Sequence, residues 1–343
     1  GNYTVTSSEA ITVQNGTAQD GDSITLEGAG NKTVTGLVAD LTLAASNTGT
    51  TGVTTGDASL TINADAAAGA LTVDGAALAE DKTLTLTGGA TTTTADVNNL
   101  KADLVASSLA SALTVDLAEA AGDDISITTG THTTAINNSA AGDTITVDAA
   151  ALEDDVLLTT SGSGSFTITG LQGNLSNTAT GAVDVTLVDN ESGNYTVTSS
   201  EAITVQNGTA QDGDSITLEG AGNKTVTGLV ADLTLAASNT GTTGVTTGDA
   251  SLTINADAAA GALTVDGAAL AEDKTLTLTG GATTTTADVN NLKADLVASS
   301  LASALTVDLA DAGDNAISIT TGTYTTISTT ALPVTPSPLM PLP

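Results

Sequence analysis

The first 118 residues of this chain return letter for letter as residues 193–310. Gly1-Asn2-Tyr3-Thr4-Val5-Thr6 reappears as Gly193-Asn194-Tyr195-Thr196-Val197-Thr198, and the identity runs through Ala118 and Ala310. A unit copied in this way points to an array, in which each element buries its apolar face against its neighbours in sequence. Arrays of this kind make length, surface and repeated contact. An enzyme site on a repeat scaffold normally departs from the repeat, and no chemically distinctive departure is visible here. The sequence therefore divides into a first copy over 1–192, a second and partial copy over 193–330 that continues the same structure, and a tail over 331–343. The tail holds all five prolines. Proline cannot donate to a sheet ladder, so this segment is expected to stop the stack as an extended spacer or blocked end. The sharper reading is a docking segment for a neighbouring subunit.

The side chains that normally carry a globular core are almost missing. There is one Phe, three Tyr, one Met and neither Trp nor Cys. The apolar fraction is nevertheless 40 %, which excludes disorder of the highly charged, weakly hydrophobic kind. The core has to be thin and built from small aliphatic residues. The formal net charge is −33, and the six cations are all lysines: Lys32, Lys82, Lys101, Lys224, Lys274 and Lys293. Such a balance excludes nucleic-acid binding through phosphate neutralisation and argues against docking on anionic lipid. It predicts an acidic surface that stays soluble at high ionic strength and attracts divalent cations. The lack of cysteine excludes a disulfide framework and thiol chemistry, as fits a secreted bacterial protein. No stretch is long and apolar enough to span a membrane as a helix. No signal peptide is present, and the chain opens in the repeat phase of Gly193, as expected of a piece of a longer precursor.

Short strand-like words recur about every ten residues. Ser23-Ile24-Thr25-Leu26, Leu41-Thr42-Leu43, Leu71-Thr72-Val73, Thr83-Leu84-Thr85-Leu86 and Ile145-Thr146-Val147 are examples. Each alternates an aliphatic residue with Thr, Ser or Asp, the pattern of a strand with one buried face. A weaker inner repeat is anchored on Thr12-Val13-Gln14-Asn15, Thr72-Val73-Asp74-Gly75 and Thr146-Val147-Asp148-Ala149. Two all-β folds fit. The favoured one is a parallel β-solenoid (β-helix) built from imperfect repeats, with coils of about 20–30 residues stacked at about 4.8 Å. The alternative is a row of tandem Ig-like β-sandwiches, which lean on buried aromatics that this chain lacks. Three Ala-rich passages read as helix candidates: 76–81, 98–111 and 149–155. The best is Val97–Leu104, with apolar residues at i, i+3 and i+7.

The nearest thing to a chemical motif is a Gly-Asp turn ahead of a strand. It supplies weak candidate metal ligands at Asp20, Asp22, Asp123, Asp124, Asp143, Asp212, Asp214 and Asp314. Calcium takes several oxygen ligands, and acidic turns stacked along a solenoid offer carboxylates and carbonyls together. The favoured reading is a good turn with a solvated carboxylate. The spacing is neither that of a calcium β-roll nonapeptide nor that of an EF-hand. The acidic pairs Glu80-Asp81 and Glu272-Asp273 and the run Glu153-Asp154-Asp155 bear on glycosidase chemistry, but the first two recur at matched repeat positions, as solvated turns do. His132, the single histidine, is matched by Tyr324 in the second copy, which speaks against a general base or ligand. Thr-x-Thr words are frequent but do not recur at a fixed coil length, as ice binding requires. No catalytic or cofactor-binding residue is expected.

Words such as Asp143-Thr144-Ile145-Thr146-Val147-Asp148 and Phe166-Thr167-Ile168-Thr169-Gly170-Leu171 resemble the large β-strand-repeat surface proteins of Gram-negative bacteria and cyanobacteria, which are adhesins, filament proteins and S-layer-like proteins. The resemblance implies export, attachment at the cell surface and structural or adhesive work. Many members of that group bind calcium through nonapeptides that are missing here. The function expected is a non-enzymatic structural protein that stacks into a fibre, sheath or layer through head-to-tail self-association. The alternatives are the stalk or binding region of a giant adhesin, with cell-surface glycans as partners, and a carbohydrate-active or ice-binding solenoid.

Overall fold

Consecutive strands of the chain pair not with each other but with the next strand but one, always in parallel. In a computed structural model, Asn2–Thr6 pairs with Ser23–Glu27, which pairs with Asp40–Leu43. Ile11–Gln14 pairs with Lys32–Leu37, which pairs with Thr51–Thr55. The structure describes residues 1–64, 69–89, 93–118, 125–256, 261–281, 285–310 and 316–322, and the backbone of 326–330. Among these the regular structure is all strand, with no helix. The architecture is the parallel β-solenoid: each coil contributes one strand to each of two parallel ladders. Parallel pairing rules out the row of antiparallel Ig-like sandwiches. The chain divides into two compact units, Gly1–Ala210 with Glu219–Gly222, and Gln211–Leu218 with Asn223–Pro343. Coils vary in length, from 17 residues between Thr160 and Asn177 to 24 between Ser59 and Thr83.

In the first unit, stacking in register converts the alternating words into continuous columns of like residues. Leu60, Leu84, Leu104, Ile127, Val147, Ile168, Val185 and Val205 follow one another up the inside of one ladder. Val13, Val34, Val53, Val73, Val97, Val115 and Ile136 do the same in the other. Burying such a side chain fully is worth ~1.5–3 kcal/mol, so the number of stacked aliphatics replaces the missing aromatics. Phe166 and Tyr195 are the large aromatics that enter the core among the described residues. The valine column then turns polar. Thr160, Asn177 and Ser199 occupy the next three places, all buried. Thr160 donates to Asn177 Oδ1 at 2.8 Å, and Asn177 Nδ2 donates to Ser199 Oγ at 2.9 Å. Satisfied in this way, the polar column fixes which coil sits on which. In the second unit Val245, Val265, Val289 and Val307 repeat the aliphatic stacking.

The helix expected over Val97–Leu104 is two strands, Thr94–Leu100 and Asp103–Leu109. Asn99 adopts φ 55° and the ladder register shifts between Val97 and Leu100. This bulge inserts one residue, so Leu100 falls on the inner side with Val97, and a strand acquires helix-like i, i+3 spacing. Gly36 and Gly170 do the same for Leu37 and Leu171. The other Ala-rich candidates, 76–81 and 149–155, are turns between strands. Proline tail 331–343 lies outside the described residues.

The two copies do not occupy equivalent ladders. Asn2–Thr6 begins one ladder, whereas its copy Asn194–Ser199 pairs with Asn174–Asn177 in the other. Ile11–Gln14 and its copy Ile203–Gln206 are exchanged likewise. Nineteen strands precede Asn194–Ser199 among the described residues, an odd number, so each copy advances the two-strand coil by a half-integer. The inner anchors show where the odd strand enters. The Thr12 and Thr72 words lie on one ladder and the Thr146 and Thr204 words on the other.

Close stacking also fixes the glycines at one corner. A Cβ on Gly30 would drive into the Glu9 carbonyl of the previous coil, one on Gly49 into Gly30, and one on Gly69 into Gly49. Gly52, by contrast, sits within the strand Thr51–Thr55 with open space around it. In urea unfolding, Gly30→Ala should therefore lose ~1–3 kcal/mol through overpacking. Gly52→Ala should gain ~0.5–1 kcal/mol by restricting the unfolded chain and favouring the strand. Equal effects would contradict the stacking described.

Candidate functional site

The acidic turns are built to close the chain on itself. The Asp22 carboxylate accepts from Gln19 N at 3.0 Å, and the Asp214 carboxylate accepts from Gln211 N at 2.7 Å. An aspartate that bonds a nearby backbone amide stabilises a turn locally. Asp22 also pairs with the amino group of Gly1, and that hydrogen bond, followed by the Gln19 amide, holds its carboxyl below the usual carboxylate range. Asp20 and Asp212 point to solvent. Asp143 is half-buried, and its backbone carbonyl accepts from Ser165 N at 2.8 Å. Asp123, Asp124 and Asp314 lie outside the described residues. Among the described residues no three His, Cys, Asp or Glu side chains come together as a metal would need. The described turns thus offer calcium one or two carboxylates each, and Asp22 and Asp214 already serve as turn acceptors. His132 shares a 2.7 Å hydrogen bond between its Nδ1 and Thr131 Oγ1; its counterpart Tyr324 lies outside the described residues.

The acidic pairs Glu80-Asp81 and Glu272-Asp273 border open surface depressions. Ala76, Leu78, Glu80, Asp81 and Lys101 line one of about 520 Å³. The matching residues Ala268, Leu270, Glu272, Asp273 and Lys293 line one of about 780 Å³ in the second unit. Lys82 donates to Asp81 at 2.7 Å, and Lys274 to Asp273 at 3.2 Å. Each bond holds the aspartate's lysine above its ordinary value, and Lys82 lowers the Asp81 carboxyl. Both pairs face water, so they are worth little to stability. The run Glu153-Asp154-Asp155 is engaged differently: Asp154 Oδ2 accepts from Ser192 N at 2.9 Å. These shelves are open, with small apolar floors and acidic rims. They offer hydrogen bonds and cation attraction, without a nucleophile held against an oriented base.

The most unusual chemistry lies inside. Lys32 opens the strand Lys32–Leu37 and is 1 % exposed. Its ammonium donates to Ser7 O at 3.2 Å, to Gly28 O at 2.9 Å and to Gly30 O. A buried ammonium needs acceptors for its three donors, and the glycine-rich corner supplies backbone carbonyls. No carboxylate is among these partners. Lys224 holds the matching place in the second unit, also buried. Burial lowers Lys32 and pushes the Lys224 ammonium down to about 8. Reading the lysines only as charge misses this cage. The signal was present: Lys32 shares the inward parity of Val34, and glycines flank it at Gly28 and Gly30. Its role is to satisfy and pin the corner where two coils meet.

No protein-family model matches the chain, and no curated protein or solved structure matches it.

Lys32→Met should cost ~1–3 kcal/mol in urea unfolding despite being the more apolar side chain, because buried carbonyls lose their donor. The pH dependence has a definite sign. The unfolded chain holds the Lys224 proton more tightly than the folded one, so this lysine's contribution to stability rises as pH climbs from about 8 towards 10.5. Measured as wild type minus Lys224→Met, which cancels the other titrating groups, the unfolding free energy should increase across that window.

Proposed function

We propose that the chain is a non-enzymatic structural element of a bacterial cell surface, exported from the cell and working as part of a fibre, sheath or layer. The observation that carries this reading is the continuity of the aliphatic columns from coil to coil, with the buried polar groups spent on pinning one coil to the next. A coil of this kind bears load through its ladder hydrogen bonds and offers the same outer surface many times over. Copying then adds length and contact points together, and weak contacts sum by avidity.

The exchange of ladders between copies supports a role in joining neighbours on both sides. The same strand words, Asn2–Gln14 and Asn194–Gln206, belong to opposite ladders, so one kind of contact is available on two sides of the first unit. The net charge of −33 keeps such elements apart at low ionic strength. Salt or calcium screens that repulsion and lets short-range contacts take over. Calcium acts here as a counter-ion or bridge between acidic rims.

Light scattering and electron microscopy of the purified chain over a range of concentrations test the reading. The expected outcome is elongated or sheet-like assemblies whose formation increases with added salt or calcium chloride. Monomers at every concentration, with and without calcium, would remove the structural role.

A further inference from the structure

The lysines that reach the surface all lie at the two open shelves. Lys32 and Lys224 are buried, and the remaining ones are Lys82 and Lys101 in the first unit and Lys274 and Lys293 in the second. A chain of net charge −33 thus gathers its outward lysines at two places of identical sequence. Each shelf is a step between neighbouring coils, whose strands pair in both ladders. Residues 75–82 join the strands Leu71–Asp74 and Thr83–Gly88, whereas Lys101 and Ala102 alone join Thr94–Leu100 and Asp103–Leu109. The long connection stands out as a ledge, and the short one beside it leaves a recess of about 520 Å³ with Lys101 in its wall. Residues 267–274 and the pair Lys293-Ala294 repeat the step in the second unit, around about 780 Å³.

We propose that each shelf is a self-complementary docking surface for the same shelf on a second copy of the chain, the acidic ledge of one entering the lysine recess of the other. The inference rests on the structural role proposed above and names the surface through which that assembly grows. Glu80 is exposed on the ledge and Lys101 is half-buried in the recess, and among the described residues neither side chain has an ionic partner. Glu272 and Lys293 stand in the same state. Asp81, by contrast, is already held by Lys82, and Asp273 by Lys274. A two-fold contact between shelves then has one acid and one cation on each side to match: Glu80 meets the partner's Lys101, and Lys101 meets the partner's Glu80. The exposed Ala76 and Ala77 add a small apolar surface to the contact.

The ledge is held in shape before docking. Leu78 anchors it in the core at 1 % exposure, as Leu270 does in the second unit. Leu78 N donates to Gly75 O at 2.9 Å, Lys82 N to Ala79 O at 3.0 Å and Ala79 N to the Asp57 carboxylate at 3.1 Å. The copy keeps all three: Leu270 N to Gly267 O at 3.1 Å, Lys274 N to Ala271 O at 3.1 Å and Ala271 N to the Asp249 carboxylate at 2.9 Å. A surface fixed in this way loses little freedom on binding. Each contact is weak, because exposed ion pairs are worth little singly. Number compensates. A contact of one patch with itself closes on a dimer, so a chain with one shelf stops there. Copying supplies a second shelf, and a chain with two goes on adding neighbours.

Sedimentation equilibrium tests this at about 0.15 M sodium chloride, where repulsion beyond about 8 Å is largely screened, with EDTA present to remove calcium bridges. The chains compared are wild type, Lys293→Glu, Lys101→Glu with Lys293→Glu, and Glu80→Lys with Glu272→Lys. Circular dichroism checks that each folds as wild type. Glu80 and Glu272 are exposed, so reversing them leaves the core untouched. Wild type should grow beyond dimers, and Lys293→Glu, with one shelf intact, should stop at dimers. Each doubly reversed chain should need about a tenfold or more higher concentration to associate, because like charges then face each other. An equal mixture of the two doubly reversed chains should assemble at the wild-type concentration, since each acid again meets a lysine. Both remain strongly acidic, so bulk charge does not draw them together. A doubly reversed chain that associates as readily as wild type, a mixture that fails to recover, or growth of Lys293→Glu past dimers would overturn the shelf contact. Assembly of every chain alike, or only after calcium is added, would overturn it and leave the structural role standing. Monomers throughout, with and without calcium, would remove both.

Discussion

The close approach of consecutive coils governs this molecule. Parallel strands about 4.8 Å apart leave no room at the corners for a side chain where one turn lies on the next. That single distance explains the glycines at 30, 49 and 69, which stack turn upon turn. It also explains the Lys32 cage. Once glycine-rich turns press together, their carbonyls need donors, and a long side chain from the next strand supplies three at once. Size, polarity and turn chemistry are thus set by one spacing rather than by separate demands.

Much of the fold was legible in the sequence because the solenoid obeys local rules. Ser23-Ile24-Thr25-Leu26 alternates, so it is a half-buried strand, and it lies as Ser23–Glu27. The aromatic poverty argued for a core of small aliphatic residues, and most of the buried hydrophobic residues are Leu, Val, Ile and Ala. Val97–Leu104 misled because a bulge at Asn99 mimics helical spacing, and periodicity alone cannot tell the two apart. The half-integer advance of each copy was also hidden. It depends on counting strands through turns whose letters vary, such as Gly75 against Ala149. Of the candidate site, the acidic turns were visible as turns, but whether carboxylates converge is a matter of three-dimensional placement. Asp22 serves its own turn through Gln19. The buried lysine was readable from its parity with Val34, a signal that charge counting discards.

Copying is tolerated here because each coil meets only the coils just before and after it. The strands of a copy keep the same neighbours whichever ladder they join, so the exchange of ladders costs nothing within a copy. Only the junction needs a new fit. Tyr195 is where that fit is made: its hydroxyl reaches Val188 and its ring closes the core between the Asn174–Leu187 coil and the second copy. Tyr195, one of two aromatics buried among the described residues, gives the junction its identity.

In-register parallel stacking is the premise of all of this, and the absence of native cysteine permits a direct test. Thr12 and Thr33 are exposed neighbours on adjacent strands, whereas Thr33 and Thr72 are separated by the intervening strand that carries Gly52. A disulfide requires Cα atoms about 4.4–6.8 Å apart. On mild oxidation, the chain carrying Thr12→Cys with Thr33→Cys should form an intramolecular disulfide, and the chain carrying Thr33→Cys with Thr72→Cys should stay reduced. Failure of the first pair to close, or closure of the second, would contradict the stacking on which the account rests.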